Sequence, residues 1–162
     1  INLYFRGYIL LSKKLSTKVA EIKIIYQSKQ KACDRPQVKT SEQAYEILKA
    51  NWSDQISLVE EFNILLLDRS NRVMSFANLF KGGISATVVD LKIVFATALK
   101  ARASAIVIAH NHPSGSTKPS EQDFSLTRKF KHAGELLDMK VLDHLILSGE
   151  DSYYSFADNG FL

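Results

Sequence analysis

The chain has 162 residues, of which 46% are hydrophobic and 23% are charged. This composition excludes an intrinsically disordered protein and predicts one globular domain with a sizeable core. The single cysteine, Cys33, excludes an internal disulfide framework and a cysteine-based zinc site. No apolar run approaches the roughly 20 residues of a membrane span and no secretory leader is recognisable, so we expect a cytoplasmic protein without a membrane partner.

The net charge of +4 is unevenly distributed along the chain. Residues 1–40 hold nine Lys or Arg against two acids, whereas residues 41–162 hold twelve against fifteen. A basic N-terminal arm over residues 8–39 could contact nucleic acid weakly through phosphates. A solvated, lysine-rich edge accounts for the same charge without any partner, and both interpretations stay open.

The first residues differ in character from the rest. Residues 1–7, INLYFRG, resemble a protease-cleavage tag, so we do not expect them to belong to the folded domain. Residues 8–12 and 19–27 are apolar or alternating, which predicts one or two strands in the basic arm. Residues 29–39, interrupted by Pro36, predict a polar connector.

The domain proper is predicted to begin with a helix and a hairpin. A helix is expected from Thr40 or Ser41 to about Trp52, with a capping box formed by Thr40 and Gln43. The nearly continuous apolar run 60–68 and the segment 72–79 predict a β-hairpin. A second amphipathic helix is expected from residue 88 or 90 to about 102.

The most informative stretch is HNHPSGSTKPSEQD, residues 110–123, which follows a short apolar run. The run 105–109 is β-branched and predicts a buried central strand. If strand geometry continues through Asn111, the side chains of His110 and His112 point to the same face. Both imidazoles could then reach one metal ion.

A helix is predicted to begin next to these histidines. Ser120 is a favoured N-cap residue, and Asp123 falls in the first helical turn, from which it could face the strand end. Two His and one Asp would leave a tetrahedral zinc ion one open position for water, as in catalytic sites. Ser120 to Asp123 also fits a capping box, which is a device for starting a helix and carries no chemistry.

The remaining segments complete one sheet. A helix is predicted over residues 120–138, followed by a buried strand over 141–148 and an antiparallel partner over 153–156. His144, inside the apolar strand, is interpreted as a core histidine hydrogen-bonded to backbone, with a contact to a metal ligand as the alternative. The predicted fold class is α/β, a single-domain mixed β-sheet flanked by helices.

The motifs resemble a known family. His-x-His, seven residues and Ser-x-x-Asp resemble the JAMM (MPN+) metalloprotease signature, and HNHPSG followed by PSxxD resembles RadC proteins in particular. Further similarity extends from about Ser41 to Leu162 and includes LDH at 142–144. The resemblance implies a RadC-like JAMM/MPN domain over residues 40–162, with an architecture similar to that of cytidine deaminases.

The resemblance also implies an activity. It indicates a zinc-dependent hydrolase that cleaves an amide or isopeptide bond of a protein or peptide, with Zn²⁺ on His110, His112 and Asp123. JAMM enzymes use an upstream glutamate to activate the zinc-bound water, and the family pattern Glu-x-Phe matches Glu60, with Glu61 as the fallback.

Ser120 is assigned a catalytic role only by this resemblance. The implied role is to stabilise the tetrahedral oxyanion through the hydroxyl group, which competes with the role of Ser120 as a helix cap. The chain departs from the RadC pattern at residues 89–91, where Val-Asp-Leu replaces Pro-Arg-Glu, and this departure concerns contacts on the substrate side.

The same residues bear on other functional classes. The alternative to a hydrolase is a DNA-associated repair or recombination protein whose metal site is vestigial or nucleolytic. Zinc deaminases are excluded because they need His-x-Glu and Pro-Cys-x-x-Cys, and the absence of HExxH excludes the thermolysin-like route.

Overall fold

The computed structural model describes residues 31–83 and 87–162. The tag-like segment 1–7 and the predicted strands of the basic arm lie outside the described residues, so the predicted nucleic-acid contact stays a prediction. After a short 3-10 helix, Ala32–Asp34, the elements are α1 Ser41–Asn51, β1 Glu61–Leu67, β2 Val73–Lys81, α2 Leu91–Lys100, β3 Ala105–Asn111, α3 Glu121–Leu136, β4 Lys140–Leu147 and β5 Tyr153–Ser155. Within the described ranges, every helix is too short or too polar to cross a bilayer.

The strands form one mixed sheet in the order β2-β1-β3-β4-β5, so the predicted fold class is confirmed. The two predicted hairpins are observed as the antiparallel pairs β1 with β2 and β4 with β5. β3 and β4 run parallel, and α3 forms the crossover that a parallel connection needs. The strand predicted to be central, β3, occupies the middle of the sheet and is buried along its whole length.

The two faces of the sheet pack against different helices. Side chains alternate along β1 and β3, so that odd and even positions enter separate cores. α1 covers the face that contains Leu65 and Val107, whereas α2 and α3 cover the face that contains Ile64 and Ile108. His110 follows Ile108 by two residues and therefore lies on the face covered by α2 and α3.

Side chains also fix where the first two helices begin. The hydroxyl of Thr40 accepts a hydrogen bond from the backbone N–H of Gln43, as predicted. The side chain of Gln43 accepts from the N–H of Lys39, one residue before the cap, so the predicted capping box is only half formed. α2 begins after Asp90, whose carboxylate accepts from the N–H of Lys92. The Val-Asp-Leu segment therefore supplies the cap of α2.

Candidate metal centre

The three predicted ligands meet where β3 ends and α3 begins. Nε2 of His110 lies 3.0 Å from Nε2 of His112. Oδ1 of Asp123 is 3.1 Å from Nε2 of His110, and Oδ2 is 3.8 Å from Nε2 of His112. One ligand atom from each residue lies within 4.8 Å of the others, so this cluster could hold a metal ion.

The two histidines share a face because extended geometry continues past the predicted end of the strand. β3 includes Asn111, and His110 pairs with Phe62 of β1. The N–H of His112 then donates to the carbonyl of Leu147 on β4, at 3.0 Å. The parallel pairing with β4 therefore keeps the chain extended up to the second imidazole.

Asp123 is oriented by a complete capping box. Its Oδ2 accepts the N–H and the O–H of Ser120, both at 2.7 Å, while Oγ of Ser120 accepts the N–H of Asp123 at 3.2 Å. Oδ1 takes no part in the cap and faces His110. Oδ2 therefore accepts the bonds that start the helix and also lies 3.8 Å from Nε2 of His112, while Oδ1 faces His110.

A chain of hydrogen bonds fixes the tautomer of His110. The hydroxyl of Thr127 donates to the carbonyl of Asp123 at 2.7 Å, so it accepts from Nδ1–H of His144 at 2.6 Å. A neutral His144 then has a lone pair on Nε2, which accepts from Nδ1–H of His110 at 2.9 Å. Nε2 of His110 therefore carries no proton and keeps a free electron pair. A histidine in this tautomer can bind a metal through Nε2.

The tautomer of His112 is fixed independently. Its Nδ1 lies 2.7 Å from the carbonyl of Ser116, which can only accept, so Nδ1 carries the proton. The unprotonated Nε2 atoms of His110 and His112 are then 3.0 Å apart, and the carboxylate of Asp123 lies 3.1 Å from the first and 3.8 Å from the second. Three electron-pair donors at this distance repel one another unless a proton or a metal cation lies between them.

Asp123 and His144, which flank His110, both have shifted pKa values. Burial acts to raise the pKa of Asp123. When a proton and not a metal lies between His110 and Asp123, the hydrogen bond and charge of His110, together with the bonds from Ser120, outweigh burial and hold that pKa well below 3.8. Burial, reinforced by the neighbouring His110, lowers the pKa of His144 well below 6.5. Asp123 is therefore ionised and His144 neutral at pH 7, as the hydrogen-bond chain requires.

The structure places the two candidate glutamates on opposite faces of the sheet. Glu60 lies two residues before Phe62, the strand partner of His110, and lines the same cleft as His110 and Asp123. No hydrogen bond or ion pair of the Glu60 carboxylate is found within the described ranges. Glu60 is therefore the acid that faces the cluster.

Glu61 is enclosed on the other face, where it is 1% exposed. Its carboxylate accepts from Oγ of Ser53 at 2.9 Å and from Nδ2 of Asn78 at 3.1 Å, and it lies 3.5 Å from Nζ of Lys81. These hydrogen bonds and the nearby ammonium group compensate for the burial of the Glu61 carboxylate, so its burial has a structural explanation.

Three contributors to the site were misinterpreted or missed from the sequence. His144 is a core histidine, as predicted, but the predicted hydrogen bond to backbone was wrong, because its ring bonds to His110 and Thr127. Thr127 was not recognised, although it lies four residues after Asp123 and hence on the same face of α3. Asn111, between the two histidines, was also not predicted to contribute to the site.

The cluster lies in a cleft of about 890 Å³. The three candidate metal ligands line this cleft, together with apolar side chains and a few polar ones. The walls include Leu58, Val89, Pro113, Leu126, Gln122 and Lys129. A cleft of this size is typical of a site that binds a small molecule or a short segment of a larger one.

Comparison with known proteins identifies the domain. A profile described as "RadC-like JAB domain" matches residues 38–161. A protein of Flavobacterium johnsoniae named UPF0758 protein is 52% identical over 62% of this chain and 44% of its own length. Proteins of the same name from Porphyromonas gingivalis and Pelobacter propionicus are 46% and 40% identical over 64% of the chain and 45% and 44% of their own lengths. The chain thus spans less than half of these curated relatives, and it belongs to the RadC family of proteins with a JAB-type domain.

Proposed function

We propose that the protein is a zinc-dependent hydrolase that cleaves an amide or isopeptide bond of a protein or peptide. The observation that carries the proposal is the convergence of two imidazole electron pairs and one carboxylate oxygen at the floor of a cleft. A second carboxylate, from Glu60, lines the same cleft without a partner among the described residues. Together these groups supply a metal site and a separate base.

The donor set fits zinc. Zinc is bound in proteins by imidazole nitrogens and carboxylate oxygens, and ligand atoms about 2.0–2.1 Å from a tetrahedral ion lie about 3.3 Å from one another. Nε2 of His110 lies 3.0 Å from Nε2 of His112 and 3.1 Å from Oδ1 of Asp123, both close to that value, and Nε2 of His112 lies 3.8 Å from Oδ2 of the same carboxylate. His110, His112 and Asp123 would hold the ion and leave a fourth position for water.

The proposed chemistry divides between the metal and the chain. A bound zinc ion lowers the pKa of a coordinated water toward about 7. Glu60 accepts the proton from the attacking water and delivers it to the nitrogen of the leaving amine. The apolar walls of the cleft, such as Leu58 and Leu126, exclude bulk water and hold the scissile bond near the floor.

Ser120 enters the proposal as a donor to the oxyanion. Its hydroxyl proton is directed at Oδ2 of Asp123, so this role requires the hydroxyl to rotate away from the carboxylate. The backbone N–H of Ser120 would keep its bond to Oδ2 during that rotation. Asp123 would therefore keep one of its two bonds from Ser120 while the hydroxyl serves the substrate.

The test is the Glu60→Gln variant, assayed on linear and isopeptide-linked peptides and analysed for zinc. Because the carboxamide cannot accept the proton, we expect hydrolysis to fall by about 10²- to 10⁴-fold. Zinc content is expected to remain that of the wild type. Glu46→Gln, at an exposed position of α1, is the matched control and is expected to keep full activity. A zinc-loaded wild-type protein that cleaves neither kind of bond would contradict the proposal.

A further inference from the structure

Asn111 separates the two histidines in sequence, and its side chain enters the opposite face of the sheet. It is 0% exposed, and its carboxamide makes three hydrogen bonds. Oδ1 accepts the backbone N–H of Glu61 at 2.8 Å. Nδ2 donates to the carbonyl of Val59 at 2.9 Å and to the carbonyl of Ile56 at 2.6 Å. All three bonds reach the segment that carries Glu60.

These bonds hold the two peptide groups that flank the Cα atom of Glu60. The peptide before it donates its N–H to Gly83 at 3.0 Å, and the peptide after it accepts from the N–H of Gly82 at 2.8 Å. The opposite sides of the same two peptides, the carbonyl of Val59 and the N–H of Glu61, bond to Asn111. The backbone around Glu60 is thus fixed on both sides.

Asn111 takes the place of a missing strand partner. The antiparallel pairing of β1 with β3 ends at Phe62 and His110, and the backbone N–H of His112 bonds to β4 instead. A side-chain carboxamide offers the same donor and acceptor as a peptide group, and it extends the ladder by one step. Asp at this position would place an oxygen, which cannot donate, against the two carbonyls. Ala would offer neither a donor nor an acceptor.

We propose that Asn111 is a positioning residue that fixes Glu60 relative to the metal ligands. The inference rests on the proposed hydrolase function for its catalytic consequence, but the positioning itself is structural. Asn111 lies between His110 and His112 in the central strand, and its carboxamide bonds to the peptide groups on both sides of Glu60. The backbone of Glu60 is therefore held at a fixed distance from the two histidines. Asn111 does not contact the reacting atoms, and it acts only through Glu60.

The positioning is tested first without any measurement of activity. In Asn111→Ala, amide hydrogen exchange at Glu61 is expected to accelerate, because its acceptor is lost. In the wild type, adding zinc is expected to shift the carboxyl-carbon resonance of Glu60, whereas in Asn111→Ala this shift is expected to shrink. Asn111→Ser, which keeps a hydroxyl donor and folds more readily than a variant with no polar group, is measured in parallel and is expected to give an intermediate result.

Asn63 supplies the matched control. It is also 0% exposed, on the neighbouring strand β1, and its carboxamide has no hydrogen-bond partner among the described residues. Asn63→Ala therefore removes the same group from an equally buried position without removing a bond to the Glu60 segment. We expect exchange at Glu61 and the zinc-induced shift at Glu60 to stay unchanged in this variant.

The catalytic consequence is tested by a double-mutant cycle. Because a displacement of about 1 Å costs about 10²-fold in rate, Asn111→Ala is expected to lower kcat by about that factor while KM and zinc affinity stay within about twofold. In the Glu60→Gln background, Asn111→Ala is expected to cost nothing further, because its effect passes through the missing base.

Each outcome decides a separate claim. Unchanged exchange at Glu61 and an unchanged shift at Glu60 would overturn the positioning, as would full activity in a variant whose exchange is accelerated. A parallel loss of zinc would mean that Asn111 acts through the histidines, which also overturns the inference. If the wild type hydrolyses no substrate, the proposed function fails, and the exchange and carbon-shift measurements still decide whether Asn111 fixes Glu60.

Discussion

Oγ1 of Thr127 lies 2.6 Å from Nδ1 of His144, and this contact determines which nitrogen of His110 is free to bind a metal. The Thr127 hydroxyl has one proton and gives it to the backbone of its own helix. It can therefore only accept from His144, so the hydrogen bonds are donated from His110 on β3 to His144 on β4 and from His144 to Thr127 on α3. A buried hydroxyl thus sets the chemistry of a ligand that it does not touch.

The first prediction concerns Thr127→Val, which keeps the shape of the side chain and removes the acceptor. His144 loses the partner that holds its tautomer, so zinc affinity is expected to fall by about 10- to 100-fold, measured by competition with a chromophoric chelator. Thr97→Val is the matched control, because the Thr97 hydroxyl donates to Ile93 four residues earlier and contacts no histidine. Equal affinities in the two variants would contradict the tautomer argument.

The second prediction concerns the metal itself. His112→Ala removes one of three ligands, so its zinc affinity is expected to fall by at least the roughly 100-fold that loss of a supporting partner can cost. Protein purified without a histidine tag and analysed by mass spectrometry for metals provides the measurement. His132→Ala, at an exposed position of α3, is expected to retain wild-type zinc content. Equal metal content in both variants would rule out His112 as a ligand.

The third prediction concerns Ser120, which caps α3 and also orients the carboxylate of Asp123. Ser120→Ala removes a helix cap, so the free energy of unfolding is expected to fall by about 1 kcal/mol, measured by denaturant titration. Thr40→Ala removes the cap of α1 and is expected to lose a similar amount of stability. Zinc affinity is expected to fall only in Ser120→Ala, since only that hydroxyl orients Asp123. An equal effect of the two variants on zinc affinity would show that the cap and the ligand are independent.

The fourth prediction concerns the dependence of stability on pH at Asp143. Burial raises the pKa of this carboxyl above 3.8, although Ser155, Ala157 and the N–H of His144 donate to it. A raised folded-state pKa means that the stability contributed by this group is fully present below the unfolded pKa of about 3.9 and is lost as the pH rises through the folded-state pKa. Asp143→Asn stays neutral, so its stability relative to the wild type is expected to increase over that pH range.

Denaturant titrations of the two proteins at several pH values, without metal, provide the measurement for Asp143. Taking the difference between wild type and variant cancels the contribution of Asp123, whose lowered pKa acts in the opposite direction. A difference in stability that does not change with pH would contradict the raised pKa.

From the sequence, the capping box and the metal site were alternative explanations of Asp123. The structure contains the capping box together with a cluster that could hold a metal ion. They coexist because a carboxylate has two oxygens: Oδ2 takes the bonds from Ser120 and Oδ1 faces His110. Spacing along the chain places a residue in the first turn of a helix, but it does not say how the oxygens of that residue are shared. The geometry of the side chain was needed for that distinction.

Local patterns predicted the elements well, and long-range register accounts for what they missed. The hairpins and the helix starts depend on neighbours in sequence, so alternation and capping residues were sufficient. The contact of His144 with His110 depends on the parallel register of β3 and β4, where His144 pairs with Ile108. The choice between Glu60 and Glu61 likewise depends on which face His110 occupies, and alternation alone only places the two acids on opposite faces.

If the proposed site binds a metal, the carboxylate of Asp123 links metal binding to the stability of the protein. An ion that binds its Oδ1 atom also holds the residue that closes the first turn of α3, so the free energy of binding adds to the free energy of unfolding. Removal of the metal by a chelator would therefore destabilise the first turn of α3 before it destabilises the sheet. Resistance to a protease should then rise with added zinc, with early cleavage near residues 115–120.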